Sequence, residues 1–420
     1  MNISRDCDHS KQKIVALTEK GVKIPNPESV YIGPEVDVSN ISGTGVALYA
    51  GSKITGNKTF IHHHATIGYE GPVTIENCQI GANVHLNSGF FRESVFLDNV
   101  TMGYGSHVRE GCICEENSSI AHTVGLKQTI LFPFVTLGSL INFCDCLMAG
   151  GTGKDNHSEV GSSYIHFNFT PNQDKATPSL IGDVPKGVML KERPIFLGGQ
   201  GGLVGPCRLA YGTIVAAGTI LRKDELRPNR LIFGGNPNTG NMPLGEKIHQ
   251  NVKKILTHNI NYIANLIALK RYYIDIRSLF VGDTFPEALL KGLIEKADMG
   301  INERIKRLAT FRSKLLRDNE SSGIADDMAD LGFDMTFYTI WPEIEKMLDD
   351  LKKQAFTCSA LKEFIKTIQA KIQVHGKNYL GVISGLTSEE ANTGTRWLET
   401  VVGQINHDIF KRLPSNGMSK

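Results

Sequence analysis

The chain has neither a long apolar run nor an imbalance of charge. None of its hydrophobic stretches approaches the ~20 residues that a membrane-spanning helix needs. Its 45 basic and 43 acidic residues leave a net charge of +2, which gives no reason to expect a nucleic acid or a membrane surface as partner. The segment Met1–Ser10 carries Asp6 and Asp8 and lacks the apolar core of a secretory signal. We therefore expect a cytoplasmic protein whose partner is a small molecule or another protein.

The sequence also lacks the spacings that are typical of metal sites. Its eight cysteines, without a secretory signal, are expected to be reduced thiols. The pairs Cys112/Cys114 and Cys144/Cys146 are spaced too closely for the usual structural zinc site. The three consecutive histidines at 62–64 could bind a metal through imidazoles on one strand face, but alternate side chains point to opposite faces. An ordinary polar ladder is the better interpretation, and we expect no metal.

Composition divides the chain into two parts. Of the 43 glycines, 31 precede residue 245, whereas the remainder is rich in Leu, Ile, Lys and Glu. Turn residues cluster at 234–237, where a proline also ends any strand. We predict a partly helical lead-in over 1–29, a β domain over 30–240 with a loop insertion near 162–179, and an α-helical domain over 245–420. The helical part has apolar residues at spacings of three and four, and Thr387-x-x-Glu390 predicts a capping box.

Aliphatic residues recur every six positions in the first part, with a small residue two positions before many of them. A period of six fits neither a helix of 3.6 residues per turn nor a hairpin meander. It predicts a parallel β-helix of hexapeptide repeats, in which each short strand points one large side chain inward. Cys112, Cys114 and Cys207 are then small core fillers. The clearest blocks are Met102, Val108, Cys114, Ile120 and Leu126, then Leu131, Leu137, Phe143 and Ala149, and finally Leu203, Leu209, Val215 and Leu221.

Three passages carry a resemblance to a known family. The run His107–Gly111 is similar to H-I-R-P-G, with Glu110 in place of proline, and Phe167-Asn168-Phe169 followed by Lys175 resembles an N-Y-D-G loop with a following lysine. The run Thr213–Ile220 matches A-T-I-A-A-G-T. Over roughly residues 30 to 240 the chain resembles the left-handed β-helix hexapeptide acyltransferases. Within them it is most similar to the acetyltransferase half of the bifunctional enzyme that makes UDP-N-acetylglucosamine.

The resemblance implies a left-handed β-helix, a homotrimer, and acyl transfer from acetyl-CoA or another acyl-CoA to an amino sugar phosphate or nucleotide sugar. It also implies that Ala216 and Gly218, in the last matching run, contact the CoA. Two features of the family are missing. No glycine-rich nucleotide loop of the uridyltransferase half precedes the repeat. The family's base has a G-H-L-T-Y context, whereas this chain reads Gly-Ser-Ser-Tyr-Ile-His at 161–166, so the base is displaced or absent.

Histidines are the candidate bases, since acyl transfer needs a proton acceptor with a pKa near neutral. His166 and His157 flank the polar loop and are equal candidates, each with the alternative of a loop histidine bonded to backbone. His122 follows an inward position, so it is expected to point outward from a coil, and it is the runner-up.

Candidate substrate ligands lie in and near the same loop. Asn168 and Lys175 suit a sugar phosphate or an amine-bearing substrate, because an amide offers two hydrogen bonds and an ammonium neutralises phosphate. Tyr164 could stack on a ring or donate through its hydroxyl, and Arg109 binds phosphate by similarity. The competing interpretation is a surface insertion that only caps the repeat. A non-catalytic sugar-nucleotide-binding or scaffold protein is therefore the second hypothesis beside the acyltransferase.

Overall fold

The computed structural model describes residues 3–168, 175–234, 252–321 and 332–413. Within these ranges, short parallel strands wind into a β-helix with three faces, and six helices follow it. The only antiparallel pair in the described chain is a small hairpin, β18 (Gly151–Gly153) with β19 (Asn156–His157), which leaves one corner of the coil. The predicted class, a parallel β-helix of hexapeptide repeats followed by an α-helical part, is confirmed.

Three faces arise because each coil contributes one strand to each of three stacks. Faces 1 and 2 join into one sheet, since β15 (Gly125–Leu131) and β17 (Asn142–Met148) run through the corner between them. Face 1 further contains β1 (Tyr31–Ile32), β3 (Lys53–Thr55), β6 (Val73–Glu76), β9 (Gly89–Arg92), β12 (Ser106–Val108), β21 (Ile165–Phe167), β24 (Gly202–Val204) and β27 (Ile220–Leu221). Face 2 further contains β4 (Phe60–Ile61), β7 (Gln79–Ile80), β10 (Ser94–Phe96), β13 (Cys112–Cys114), β22 (Ser179–Ile181) and β25 (Cys207–Leu209). Face 3 contains β2 (Ala47–Leu48), β5 (Thr66–Ile67), β8 (His85–Leu86), β11 (Thr101–Met102), β14 (Ser119–Ile120), β16 (Thr136–Leu137), β20 (Glu159–Val160), β23 (Phe196–Leu197), β26 (Ile214–Val215) and β28 (Leu231–Ile232).

The hexad residues form the interior of the coil, as predicted. All the aliphatic positions of the three predicted blocks are buried, and Cys112, Cys114 and Cys207 are buried free thiols. In-register stacking places Val108 between Phe91 and Leu126 on face 1. Each inward side chain therefore packs on the equivalent residue of the next coil, which buries one continuous column.

A helix covers the open end of the first coil. Helix α1 (Ile3–Lys20) buries Ile14 and Leu17 against the column. Lys13 Nζ donates to the carbonyl oxygens of Gly33, Pro34 and Val36 at 3.0, 2.7 and 2.5 Å. Lys20 makes the same kind of contact with three carbonyls of the segment 38–41. These ammonium groups satisfy backbone acceptors that have no further strand to pair with.

One short helix interrupts the coil itself, the four-residue turn α2 (Val184–Gly187). The remaining helices follow the described β-helix. Thr387 and Glu390 form the predicted capping box, and Trp341 and Trp397 are buried anchors. The boundary predicted near residues 240–245 lies outside the described residues. The helices are α3 (Val252–Asp275), α4 (Glu287–Ser321), α5 (Gly332–Leu351), α6 (Ser359–His375), α7 (Tyr379–Ser384) and α8 (Ser388–Phe410).

Face 2 is the face that the helices cover. Helix α4 packs on β7, β10 and β13, and α3 packs on β22. From β10 to β22 the outward side chains of this face are apolar and buried, whereas the outward Ser119 of face 3 is exposed. Both sides of these face 2 strands are thus excluded from water, which ties the helical part to the β-helix. The outward row, defined by strand register, is Val95, Ile113, Ile130, Leu147 and Leu180.

Charged contacts fix where α4 lies along the β-helix axis. Lys296 donates to Glu93 at 2.7 Å, and Arg304 donates to Asp145 at 2.6 Å. Glu93 and Asp145 occupy the corner between faces 1 and 2, three coils apart, or about 14 Å at the spacing of paired strands. The eight residue steps from Lys296 to Arg304 span about 12 Å of helix. The two distances agree because α4 runs along the corner.

A second pair of contacts lies at the corner between faces 2 and 3. Tyr273 donates to Glu115, and Arg277 donates to Glu116. Burial, and next the charge of Glu116, raise the pKa of Glu115 to about 7.

None of the described helices is long and apolar enough to span a membrane.

Replacing Ile113 by alanine tests whether the helices bury the outer side of face 2. Ile113 points away from the coil interior yet is fully buried, so Ile113→Ala should lower the free energy of unfolding by about 2–5 kcal/mol. The matched control is Ser119→Ala in the same coil on the uncovered face 3, where a change within about 0.5 kcal/mol is expected. Equal small effects in chemical denaturation would mean that face 2 is solvated.

Replacing Glu115 by glutamine should change how stability depends on pH. The pKa of Glu115 in the folded chain lies above 4.5, the ordinary value for a glutamate. The folded chain therefore retains a proton that the unfolded chain releases. Glu115 therefore contributes stability below about pH 4.5 that is lost as pH rises to about 7, amounting to ~3 kcal/mol. The unfolding free energy of Glu115→Gln relative to wild type should rise by about that amount between pH 4.5 and 7. A difference that stays constant over this range would contradict the burial of an ionisable carboxyl.

Candidate functional site

A cavity of about 310 Å³ lies where the corner between faces 1 and 2 meets α4. Three of the residues predicted to bind substrate line it: Arg109, Asn168 and Lys175. Lys127 and Asn142 add to the wall formed by the β-helix, and α4 contributes Glu303 and Arg307. Residues separated by nearly 200 positions in the sequence therefore meet at one polar cavity.

Outward basic residues of face 1 form one wall. Arg92, Arg109 and Lys127 each follow an inward core residue in successive coils, so they stack in one row. Glu110 binds Arg92 at 2.8 Å and Lys127 at 2.7 Å. Burial alone would raise the pKa of Glu110, but the hydrogen bonds from Lys127 and Arg92 outweigh it and lower the pKa to about 2. Glu110 stands where the family motif has proline, and here it orders two members of the basic row.

A buried ion pair forms the floor of the cavity. Asp145 and Arg304 are almost completely buried and lie 2.6 Å apart. Arg304 also donates to the carbonyl of Lys175 at 3.4 Å, and Asn168 Nδ2 donates to the second oxygen of Asp145 at 3.4 Å. The pair thus holds both ends of the polar loop, of which residues 169–174 lie outside the described ranges.

His166 borders the cavity but points into the coil. It is in register with Leu203, so an imidazole occupies a position of the inward column. Nδ1 lies 2.6 Å from the carbonyl oxygen of Cys144, and Nε2 lies 2.8 Å from Ser179 Oγ. A carbonyl can only accept, which assigns the proton to Nδ1 and leaves Nε2 to accept from Ser179. Burial lowers the pKa of His166 to about 4, so the ring is neutral at pH 7 and both nitrogens are engaged.

Tyr164 does not fit the ligand-stacking role expected from the sequence. Its side chain is completely buried and its ring meets Phe143 edge to face at 6.2 Å between centroids. Burial raises the pKa of its hydroxyl. The residue faces the core because it follows the corner at Ser163, where the backbone has a φ of 62°. Tyr164 is therefore a packing residue in this structure.

The other two candidate histidines lie at different corners. His157 is on the small hairpin at the corner between faces 2 and 3, where Nδ1 is 2.6 Å from the carbonyl oxygen of Lys154. His122 is exposed at the corner between faces 3 and 1, as expected for an outward residue. Neither lines the cavity. Their proposed role as base stays a prediction.

Ala216 and Gly218 lie at the same edge as His122, in later coils. Gly218 has a φ of 72°, and a Cβ added there would meet nothing within 4 Å. Open space beside the backbone at this corner leaves room for an extended ligand, and CoA contact there stays a prediction. No group of three or more His, Cys, Asp or Glu that could hold a metal ion occurs among the described residues.

Sequence reasoning missed five charged or amide side chains of the lining: Lys127, Asn142, Asp145, Glu303 and Arg307. Lys127 lies eighteen positions, or three hexads, after Arg109, so the repeat itself places both in one outward row. The contribution of α4 has no comparable signal, because it depends on packing between distant segments.

No family model matches the chain. The chain is similar to the bifunctional protein GlmU of Thermotoga maritima, with 28% identity over 217 residues that cover 51% of this chain and 42% of that protein. GlmU proteins of Thermotoga petrophila and Pelobacter propionicus are 28% and 26% identical, covering 51% and 50% of this chain and 42% and 40% of theirs. The chain thus spans about two fifths of the length of these relatives. The chain contains a hexapeptide-repeat β-helix, and GlmU homologues cover about half of the chain.

Replacing Arg304 by leucine tests the floor of the cavity. The change leaves Asp145 buried without its cation and should lower the free energy of unfolding by about 3–5 kcal/mol. The double variant Asp145→Asn with Arg304→Leu removes both charges, so it should recover part of that loss. Denaturant titrations of the two variants and wild type measure the difference. A double variant less stable than Arg304→Leu would mean that the pair is not electrostatically coupled.

Proposed function

We propose that the protein transfers an acetyl or other acyl group from CoA to the amino group of an amino sugar phosphate or nucleotide sugar. The observation that carries the proposal is the convergence of Arg109, Asn168 and Lys175 on one basic cavity. The similarity to GlmU proteins supports a transferase. In the reaction the amine nitrogen bonds to the thioester carbonyl carbon, the C–S bond breaks, and the CoA thiolate takes up the proton that the amine loses.

The acceptor's anionic group is assigned to the cationic side chains. Arg109 and Lys175 supply charge and hydrogen-bond donors, and the Asn168 amide supplies both a donor and an acceptor. The acyl donor is assigned to the edge of the β-helix at Ala216 and Gly218. Assembly as a homotrimer and a cytoplasmic location belong to the same proposal, and both come from the sequence and its resemblance.

A second candidate is a sugar-nucleotide-binding or scaffold protein without transfer activity. The state of His166 favours it, because both ring nitrogens are hydrogen-bonded and the ring is buried. Proton uptake at Nε2 would require the hydrogen bond from Ser179 to break. His157 and His122 remain the alternative bases in the transfer proposal.

Acetyl-CoA turnover with glucosamine 1-phosphate or a UDP-amino sugar tests the enzyme. Lys175→Gln should raise KM for a phosphorylated acceptor about tenfold or more, since a charge-assisted hydrogen bond contributes roughly 1.5–3 kcal/mol. Lys154→Gln, on the exposed hairpin away from the cavity, is the matched control and should behave like wild type.

Calorimetry separates the two candidate functions. Binding of acetyl-CoA together with turnover supports the transferase. Acceptor binding that depends on Lys175, without any binding of CoA, would instead support the non-catalytic protein. Loss of turnover in a His157→Ala/His166→Ala double variant that still binds both ligands would assign the base to this pair.

A further inference from the structure

Helix α4 contributes side chains to the cavity that the β-helix cannot supply. Arg304 is anchored on Asp145 at the corner. One turn later on the same side of the helix, Arg307 lines the cavity together with Glu303. Gly300 lies one turn earlier, where an added Cβ would come within 3.7 Å of Gln128. This side of α4 therefore follows the corner closely, and Arg307 is fixed relative to Arg109 and Lys175 through the Asp145–Arg304 contact.

The charges around the cavity do not balance. Its described lining contains four cations, Arg109, Lys127, Lys175 and Arg307, and two carboxylates, Asp145 and Glu303. Asp145 already has Arg304 as its partner.

Two of the four lining cations already have a carboxylate partner. Glu110 compensates Lys127, and Glu303 compensates Arg307. Arg109 and Lys175 have no carboxylate partner within 4 Å among the described residues. Among the described lining residues, these two cations therefore repel each other and create a field that favours a doubly charged anion.

Arg307 has hydrogen-bond donors to spare. Its Nε and Nη2 both contact Glu303 Oε1, at 2.7 and 2.6 Å. A guanidinium carries five N–H donors, so three remain for a ligand while Glu303 holds the plane of the group. Its side chain keeps 25% of its exposure, so the guanidinium is reachable from the cavity. An exposed pair on a helix surface is usually only solvated, but this one lines the same cavity as Arg109 and Lys175.

We propose that Arg307 is a specificity-determining residue that selects an acceptor carrying a phosphate dianion, and that Glu303 positions it. The inference rests on the proposed function for the identity of the acceptor. It adds that the helical part completes the acceptor site within a single chain. The planar guanidinium suits phosphate oxygens through paired hydrogen bonds, which an amide or a lysine cannot reproduce.

The test compares a phosphorylated ligand with its neutral counterpart. Calorimetry with glucosamine 1-phosphate and with glucosamine is carried out on wild type, Arg307→Gln, Arg307→Lys and Lys306→Gln. Arg307→Gln should weaken glucosamine 1-phosphate binding at least tenfold and leave glucosamine unchanged, and Arg307→Lys should restore part of the loss. Lys306, the position before Arg307 on α4, is exposed and does not line the cavity, so Lys306→Gln should match wild type.

The possible results test the role of Arg307 and the proposed acyltransferase activity separately. Arg307→Gln binding the phosphorylated ligand like wild type would overturn the role of Arg307 while leaving the acyltransferase standing. Equal weakening of both ligands would also overturn it, since a structural defect does not discriminate phosphate. Selective weakening in a chain that transfers no acyl group would support Arg307 and overturn the enzyme. Wild type that binds neither acetyl-CoA nor glucosamine 1-phosphate would overturn both.

Discussion

Burial of the outer side of face 2 is the constraint on which the rest of the structure depends. A β-helix normally exposes the outward side chains of its strands, but here one row of them is aliphatic in successive coils, from Val95 to Leu180. That row must be removed from water, and α3 and α4 cover it. Once α4 lies along face 2, its flank reaches the corner with face 1. The cavity at that corner exists because the helix passes beside it.

The ionic contacts at the corners give this packing its register. Hydrophobic burial is not directional, so an aliphatic row alone would let a long helix slide along its axis. Lys296 and Arg304 contact corner carboxylates three coils apart, and only one axial position of α4 satisfies both. Removing such charges from water is costly, and an apolar pair of similar volume can be as stable. We hypothesise that these ion pairs fix the position of α4 more than they stabilise the fold. A binding site that includes side chains of α4 depends on that position.

The sequence predicted the interior of the β-helix well and its exterior partly. The hexad positions from Met102 to Leu221 are inside, because the period of six reports directly which residue of each strand points inward. The repeat also contains a signal for the covering helices, because strands such as Cys112–Cys114 have no polar outward residue, which predicts that another element covers them. Contacts such as Asp145 with Arg304 join segments 159 residues apart. No local spacing encodes them, so the half of the cavity contributed by α4 could not be predicted.

His166 shows why residue type and location near a loop were insufficient to assign a base. The loop's first strand continues the inward column through Ile165–Phe167, and the repeat places the middle residue inside. A histidine tolerates that position because Cys144 accepts from Nδ1 and Ser179 donates to Nε2, while Cys207 N–H donates to Ser179 Oγ at 3.1 Å. The chain of hydrogen bonds has one direction and no spare acceptor on the ring. Acyl transfer in this cavity would therefore depend on another proton acceptor, with most of the remaining effect coming from charge and the positioning of the acceptor.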